Sequence, residues 1–201
     1  MRKIVLLLLL TVPTRTPAAD RGLEVAVRGG YALVKELERF GIAENFDALV
    51  PVALEIGYRF TPQLYAGLYG EYGFGLTSCP LVDRDDCSGH AVGFGIDLRL
   101  ILSSDSRLRP WIGVTMGYQH LRLFATEEEF GRFATSNSEY RFGISSGADL
   151  YVGPILSVGP YAAAKVAAVF PGSTTQRGIT YSQLGDSYLL AELGLRISFR
   201  P

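Results

Sequence analysis

The sequence has little charge, almost no cysteine or histidine, and no long apolar run beyond its first twenty residues. Charged side chains make up 19% of 201 residues and nearly cancel, to a net −1. Neither a nucleic-acid footprint nor an acidic interaction tail is therefore present. No segment past residue 20 reaches the roughly 18 apolar residues that a membrane-spanning helix requires. The only cysteines are Cys79 and Cys87, and the only histidines are His90 and His120. Cys79, Cys87 and His90 follow no recognisable zinc spacing, so no metal or other cofactor is expected. What the chain does have is glycine, 23 residues, with Tyr and Phe at 11 each. That mixture suits strands separated by turns better than a helical bundle or a disordered chain.

The first 19 residues stand apart. Arg2 and Lys3 open the chain, Ile4 to Leu10 is unbroken apolar, and small residues end in Ala18 and Ala19. This is the layout of a secretory signal peptide, with cleavage expected after Ala19. An uncleaved anchor is the alternative, but the run is too short to span a bilayer. Cleavage leaves residues 20–201 as one domain with 16 basic against 20 acidic side chains. Export places the cysteines in an oxidising compartment, and a disulfide between Cys79 and Cys87 is expected to close the polar stretch they share.

Beyond residue 20 the dominant pattern has a period of two. In the last segment Leu189, Ala191, Leu193, Leu195, Ile197 and Phe199 share one face, while Tyr188, Leu190, Glu192, Gly194, Arg196 and Ser198 share the other. Successive side chains of a strand point to opposite sides, so this is a strand with one oily and one polar face. The same test predicts strands over 23–34, 50–60, 64–77, 91–102, 110–123, 140–153 and 155–170. Pro160 cannot donate to a ladder, and a bulge is expected there. The predicted connections alternate: 35–49, 78–90, 124–139 and 171–187 are long, while 61–63, 103–109 and the turn at Pro154 are short. Within 35–47, Val34, Leu37 and Phe40 leave a short helix open as an alternative to a mobile loop.

Soluble carriers of the lipocalin type also close eight alternating strands into a barrel, so the composition of the two faces has to decide. The polar face carries Glu24, Glu55, Glu71, Asp97, Asp149 and Glu192, with Arg28, Arg59, Arg99, Arg141, Lys165 and Arg196. Such a balanced set can pair inside a narrow lumen, as buried ions must. The same face holds most strand glycines, which would weaken a water-facing sheet; inside a barrel they are expected to leave room for long Arg and Glu side chains. The other face is uncharged over the middle of each strand. Its aromatics collect toward the ends: Tyr31, Tyr72, Phe74, Tyr118, Tyr140, Phe142 and Phe170 at the long-connection end, Phe60 and Phe199 at the other. Girdles of this kind form where a barrel crosses the two membrane interfaces. The reading is an all-β, eight-stranded, antiparallel up-and-down transmembrane β-barrel of the bacterial outer membrane, with the soluble carrier as the alternative.

Over residues 21–201 the chain resembles the small eight-stranded outer-membrane barrels, such as the transmembrane domain of outer membrane protein A and the outer membrane protein X type. The resemblance rests on the architecture and on the last strand, with its alternating apolar residues and near-terminal Phe199. It implies a monomer in contact with outer-membrane lipid and lipopolysaccharide, with the last strand read by the barrel-assembly machinery.

Three functional classes follow. The default is a structural, adhesion or surface-binding role through the long extracellular loops, since loops on rigid scaffolds carry function. The second is a narrow gated pore through the charged lumen, for example by parting of a Glu71–Arg99 pair. The third is a lipid A-modifying enzyme, which needs a histidine base beside a serine nucleophile. His120 has the right parity and depth, but no serine occupies the next position of its face; Ser88 and His90 lie in or beside the cysteine loop. The acidic stretches 83–86 and 126–129 lack EF-hand spacing and read as solvated loops. On a gel, unboiled protein from the outer-membrane fraction should run as a compact species distinct from the boiled one, whereas a monomer soluble without detergent would mark a carrier.

Overall fold

The computed structural model describes residues 21–36, 46–77, 87–103, 106–127, 131–169, 173–176, 179–182 and 187–201. The residues read as a signal peptide, the possible helix in 35–47, Phe170 and Cys79 with its proposed disulfide lie largely or wholly outside these. Among the described residues there are ten strands: β1 (Gly22–Glu36), β2 (Phe46–Arg59), β3 (Leu64–Thr77), β4 (Cys87–Ile101), β5 (Leu108–Glu127), β6 (Gly131–Tyr151), β7 (Leu156–Val169), β8 (Ser173–Gln176), β9 (Ile179–Ser182) and β10 (Ser187–Phe199). Each of β1 to β6 pairs antiparallel with its successor, and β10 joins β7 back to β1, so eight strands close a barrel.

Closure is staggered. A row of register partners runs from Tyr65 through Arg99, Gly113, Ser145, Ala163, Glu192, Ala32 and Leu49. It returns to β3 at Gly75, ten residues beyond its start. For eight strands that stagger corresponds to a tilt of about 40° and a lumen only wide enough for side chains.

The pleat sorts the two faces as the alternation predicts. Outward side chains are oily, with Leu193 at 68% exposure and Phe94 at 63%, whereas Glu55, Asp97 and Glu139 inside are at 0%. A soluble carrier requires the reverse arrangement. Outward rings meet in pairs near the long-connection end: Tyr72–Phe74, Phe94–Tyr118 and Tyr118–Tyr140 have centroids 4.8, 5.8 and 5.9 Å apart. Tyr58 and Phe60 pair at 5.2 Å near the other end.

Three expectations need correction. The stretch 124–139 is no long loop: β5 and β6 continue as one hairpin, in register from Leu108–Leu150 to Glu127–Gly131. The stretch 171–187 contains β8 and β9, and β8 pairs with the protruding part of β6 at 134–136. Pro160 makes no bulge. The β6–β7 ladder omits the pairs at Ala148 and Asp149 but resumes in the same register at Leu150–Val158, and the β7–β10 ladder is continuous through Pro160. Skipping pairs accommodates the missing N–H without an extra residue. At that point the two backbones crowd together, and a Cβ on Gly159 would collide with the carbonyl oxygen of Ala148. Gly159→Ala should therefore destabilise the barrel by about 1–3 kcal/mol in urea titrations in liposomes. Gly70→Ala, where a Cβ meets nothing within 4 Å, should stay near wild type.

Candidate functional site

The lumen is built outward-in, from wall to ring to guanidinium to carboxylate. Glycines on opposed strands leave flat patches of wall, and aromatic rings lie on them. A Cβ on Gly57 would come within 2.6 Å of the Tyr65 ring, one on Gly194 within 2.7 Å of Tyr161, and one on Gly147 within 2.5 Å of Trp111. The glycines thus chiefly seat rings, rather than clearing space for Arg and Glu as expected from the sequence. Each ring then carries a cation: Arg99 lies 4.8 Å from the Tyr65 centroid and 5.0 Å from Trp111, while Arg28 lies 5.1 Å from Tyr69 and 5.9 Å from Tyr161. The ring faces attract these charges in a space without bulk water.

All twelve charges assigned to the lumen are buried there. Toward the short-turn end, Arg196 touches three carboxylates: Glu24 at 2.6 Å, Glu55 at 3.0 Å and Asp149 at 3.0 Å. Arg59 adds a 2.7 Å bond to Glu24, and Arg99 bonds Glu55 and Asp97. Toward the other end, Glu71 is held by Arg141 at 2.8 Å and Lys165 at 3.0 Å, and Lys165 reaches Glu192 at 2.7 Å. Arg28 joins the two halves, 3.4 Å from Glu55 and 3.3 Å from Glu71. Glu71 and Arg99, taken above as a gating pair, belong to different halves and bond other partners. Three further buried charges escaped the sequence reading. Glu139 bonds Arg141 at 2.8 Å and Tyr188, while Arg109 and Arg200 lie 4.9 and 4.6 Å from the Tyr151 ring. Glu139 and Arg109 fell in stretches read as loops, and Arg200 follows the last strand.

Above the ions the lumen turns apolar. Ala32, Leu49, Ala91, Leu121, Leu123, Ala167, Tyr188 and Leu190 form one buried cluster. A cavity among Leu49, Leu190, Gln119, Glu71 and Lys165 has a volume of about 10 Å³, the space of a single water.

Outside the barrel, the structure brings His120 to a serine that spacing along one strand could not reveal. Ser138 is its register partner on β6, and His120 Nδ1 lies 3.2 Å from Ser138 Oγ.

Arg196→Leu removes a cation that three carboxylates share, leaving Asp149 the Trp111 indole N–H while Glu24 keeps Arg59 and Glu55 keeps Arg28 and Arg99, and should lower stability by about 3–5 kcal/mol. Lys165→Leu leaves Glu71 with Arg28 and Arg141 and leaves Glu192 with Tyr161, so its effect should be smaller. Urea midpoints of both variants in liposomes test this ranking, and equal midpoints would refute it.

No family model and no curated protein matches the chain. Solved structures do. Neisserial surface protein A superposes with a TM-score of 0.63 at 10% identity, over 90% of this chain and 97% of that one. Outer membrane protein AlkL, solved in lipid bilayers, gives 0.56 at 13%, over 95% and 96%. A major outer membrane protein from Thermus thermophilus gives 0.54 at 12%, over 88% and 99%. At these identities the likeness is one of fold. The chain has the fold of the small eight-stranded outer-membrane β-barrels, with the oily exterior that such a membrane requires.

Proposed function

We propose that the protein is a closed, monomeric barrel of the bacterial outer membrane that acts outside its lumen, in a structural, adhesion or surface-binding role. The acting part is the extracellular extension built from the ends of β5 and β6 with β8 and β9. The observation that carries this reading is the filling of the lumen along its length, by an ion network below and an apolar cluster above. A gated pore would have to break several buried ion pairs at once and also move Leu49, Leu121 and Leu190 aside. The extension, by contrast, already stands clear of the barrel and pairs beyond it at 134–136. The extension supports a binder over an enzyme. The outward alternation of β10, ending at Phe199, supports insertion through the barrel-assembly machinery.

Purified protein in planar bilayers should be silent at every applied voltage; steady unitary currents would replace this reading with the pore. Replacing residues 126–132 by a two-residue turn should leave the heat-modifiable barrel intact but reduce attachment of producing cells to solid or cellular surfaces.

A further inference from the structure

Where β5 and β6 rise past the outer ring of aromatics, their outward face carries a polar cluster that the lumen does not use. Tyr118, His120 and Arg122 are successive outward residues of β5. Ser138 and Ser136 face His120 and Arg122 from β6, and His90 faces Arg122 from β4. His90 is stacked between Tyr72 and Phe124, with centroids at 6.0 and 5.7 Å.

The hydrogen bonds here run in one direction. Arg122 Nε donates to His120 Nε2 at 3.3 Å, so the neutral imidazole carries its proton on Nδ1. Nδ1–H then donates to Ser138 Oγ at 3.2 Å, which also accepts the Tyr118 hydroxyl at 2.6 Å. A serine oxygen holding two donors has its own O–H left to give outward. An activated nucleophile needs the opposite flow, with the imidazole accepting the serine proton. Arg122 is exposed, and among the described residues its terminal nitrogens have no partner and the outward face of β4 to β6 has no acid. The cluster therefore offers hydroxyl and guanidinium donors and one full positive charge, with no counter-ion among the described residues.

We propose that this cluster binds the phosphate group of an outer-leaflet lipid. A guanidinium and a serine O–H on neighbouring outward positions suit phosphate oxygens. Directly below, on the same face, Phe94, Met116 and Phe142 are 63%, 54% and 57% exposed and offer an apolar bed for the attached chains. A free anion has no use for such a bed. The assignment rests on the reading above that this end of the barrel meets the outer leaflet.

Native mass spectrometry of the full chain in detergent micelles tests it, because micelles have no leaflets and the result is independent of orientation and of conductance. The probes are lipid A, the same lipid with its phosphates removed, and inorganic phosphate. Variants are first checked for heat-modifiability. Lipid A should be retained about tenfold more than the dephosphorylated form. Arg122→Ala and Ser138→Ala should each lose most of that retention, while Arg107→Ala at the opposite rim should keep it. Equal retention of the two lipids, or equal behaviour of the Arg122 and Arg107 variants, overturns the site. Displacement of lipid A by equimolar inorganic phosphate overturns its assignment to a lipid.

Discussion

A sheet whose outer face is hydrocarbon can have no free edge inside a membrane, because each unpaired backbone N–H or C=O in lipid costs several kcal/mol. Everything else about this molecule follows from that closure. Eight strands closing with a ten-residue stagger fix a narrow lumen. A narrow lumen in turn dictates what the wall can carry. A ring can lie flat only where the facing residues have no side chain, and an arginine can sit near the axis only where such a ring supports it. The glycines at 57, 67, 147 and 194, the rings of Tyr65, Trp111 and Tyr161, and the guanidiniums of Arg28 and Arg99 are three layers of one construction.

The ion network is the innermost layer, and its contribution is more to uniqueness than to net stability. Buried pairs often do no better than well-packed apolar groups, because desolvation offsets their attraction. Here, though, the alternative to the native register is severe. A slip of one residue in any strand would exchange its two faces, sending charges such as Glu55 or Arg196 into lipid and Leu or Phe into the ionic lumen. Each inward charge is also shared among several strands: Glu55 of β2 meets Arg28 of β1, Arg99 of β4 and Arg196 of β10. Moving one strand therefore removes an ionic partner from charges on three others.

Membrane contact explains what the sequence disclosed. Where a strand is bathed by lipid on one side and ions on the other, the alternation is nearly complete, and strands, faces and all twelve lumen charges could be read from it. Above the membrane both faces of a strand meet water. The period-two signal fades there, which is why 124–139 looked like a loop and why Glu139, still turned inward, went unnoticed. Partnership across strands was beyond reach for a different reason. Ser138 lies 18 residues from His120 in sequence, and only the β5–β6 register brings them side by side. The charges of the lumen were legible as a set, but their pairing depends on the stagger, which no single strand encodes.

Two independent features change at the same height on this barrel. The outer face of β5 and β6 gains Arg122, Ser136 and Ser138, and the sheet stops being closed, since β9 pairs only with β8 among the described residues. An open strand edge is tolerable in water and not in hydrocarbon. The backbone therefore marks the same boundary as the side chains. Below that boundary the chain has one solution, a closed cylinder whose lumen holds paired ions and packed side chains. Above it, closure is no longer enforced, strands can lengthen or pair sideways, and polar groups can face outward. That is the region free to take on recognition, because changes there leave the closed sheet beneath intact.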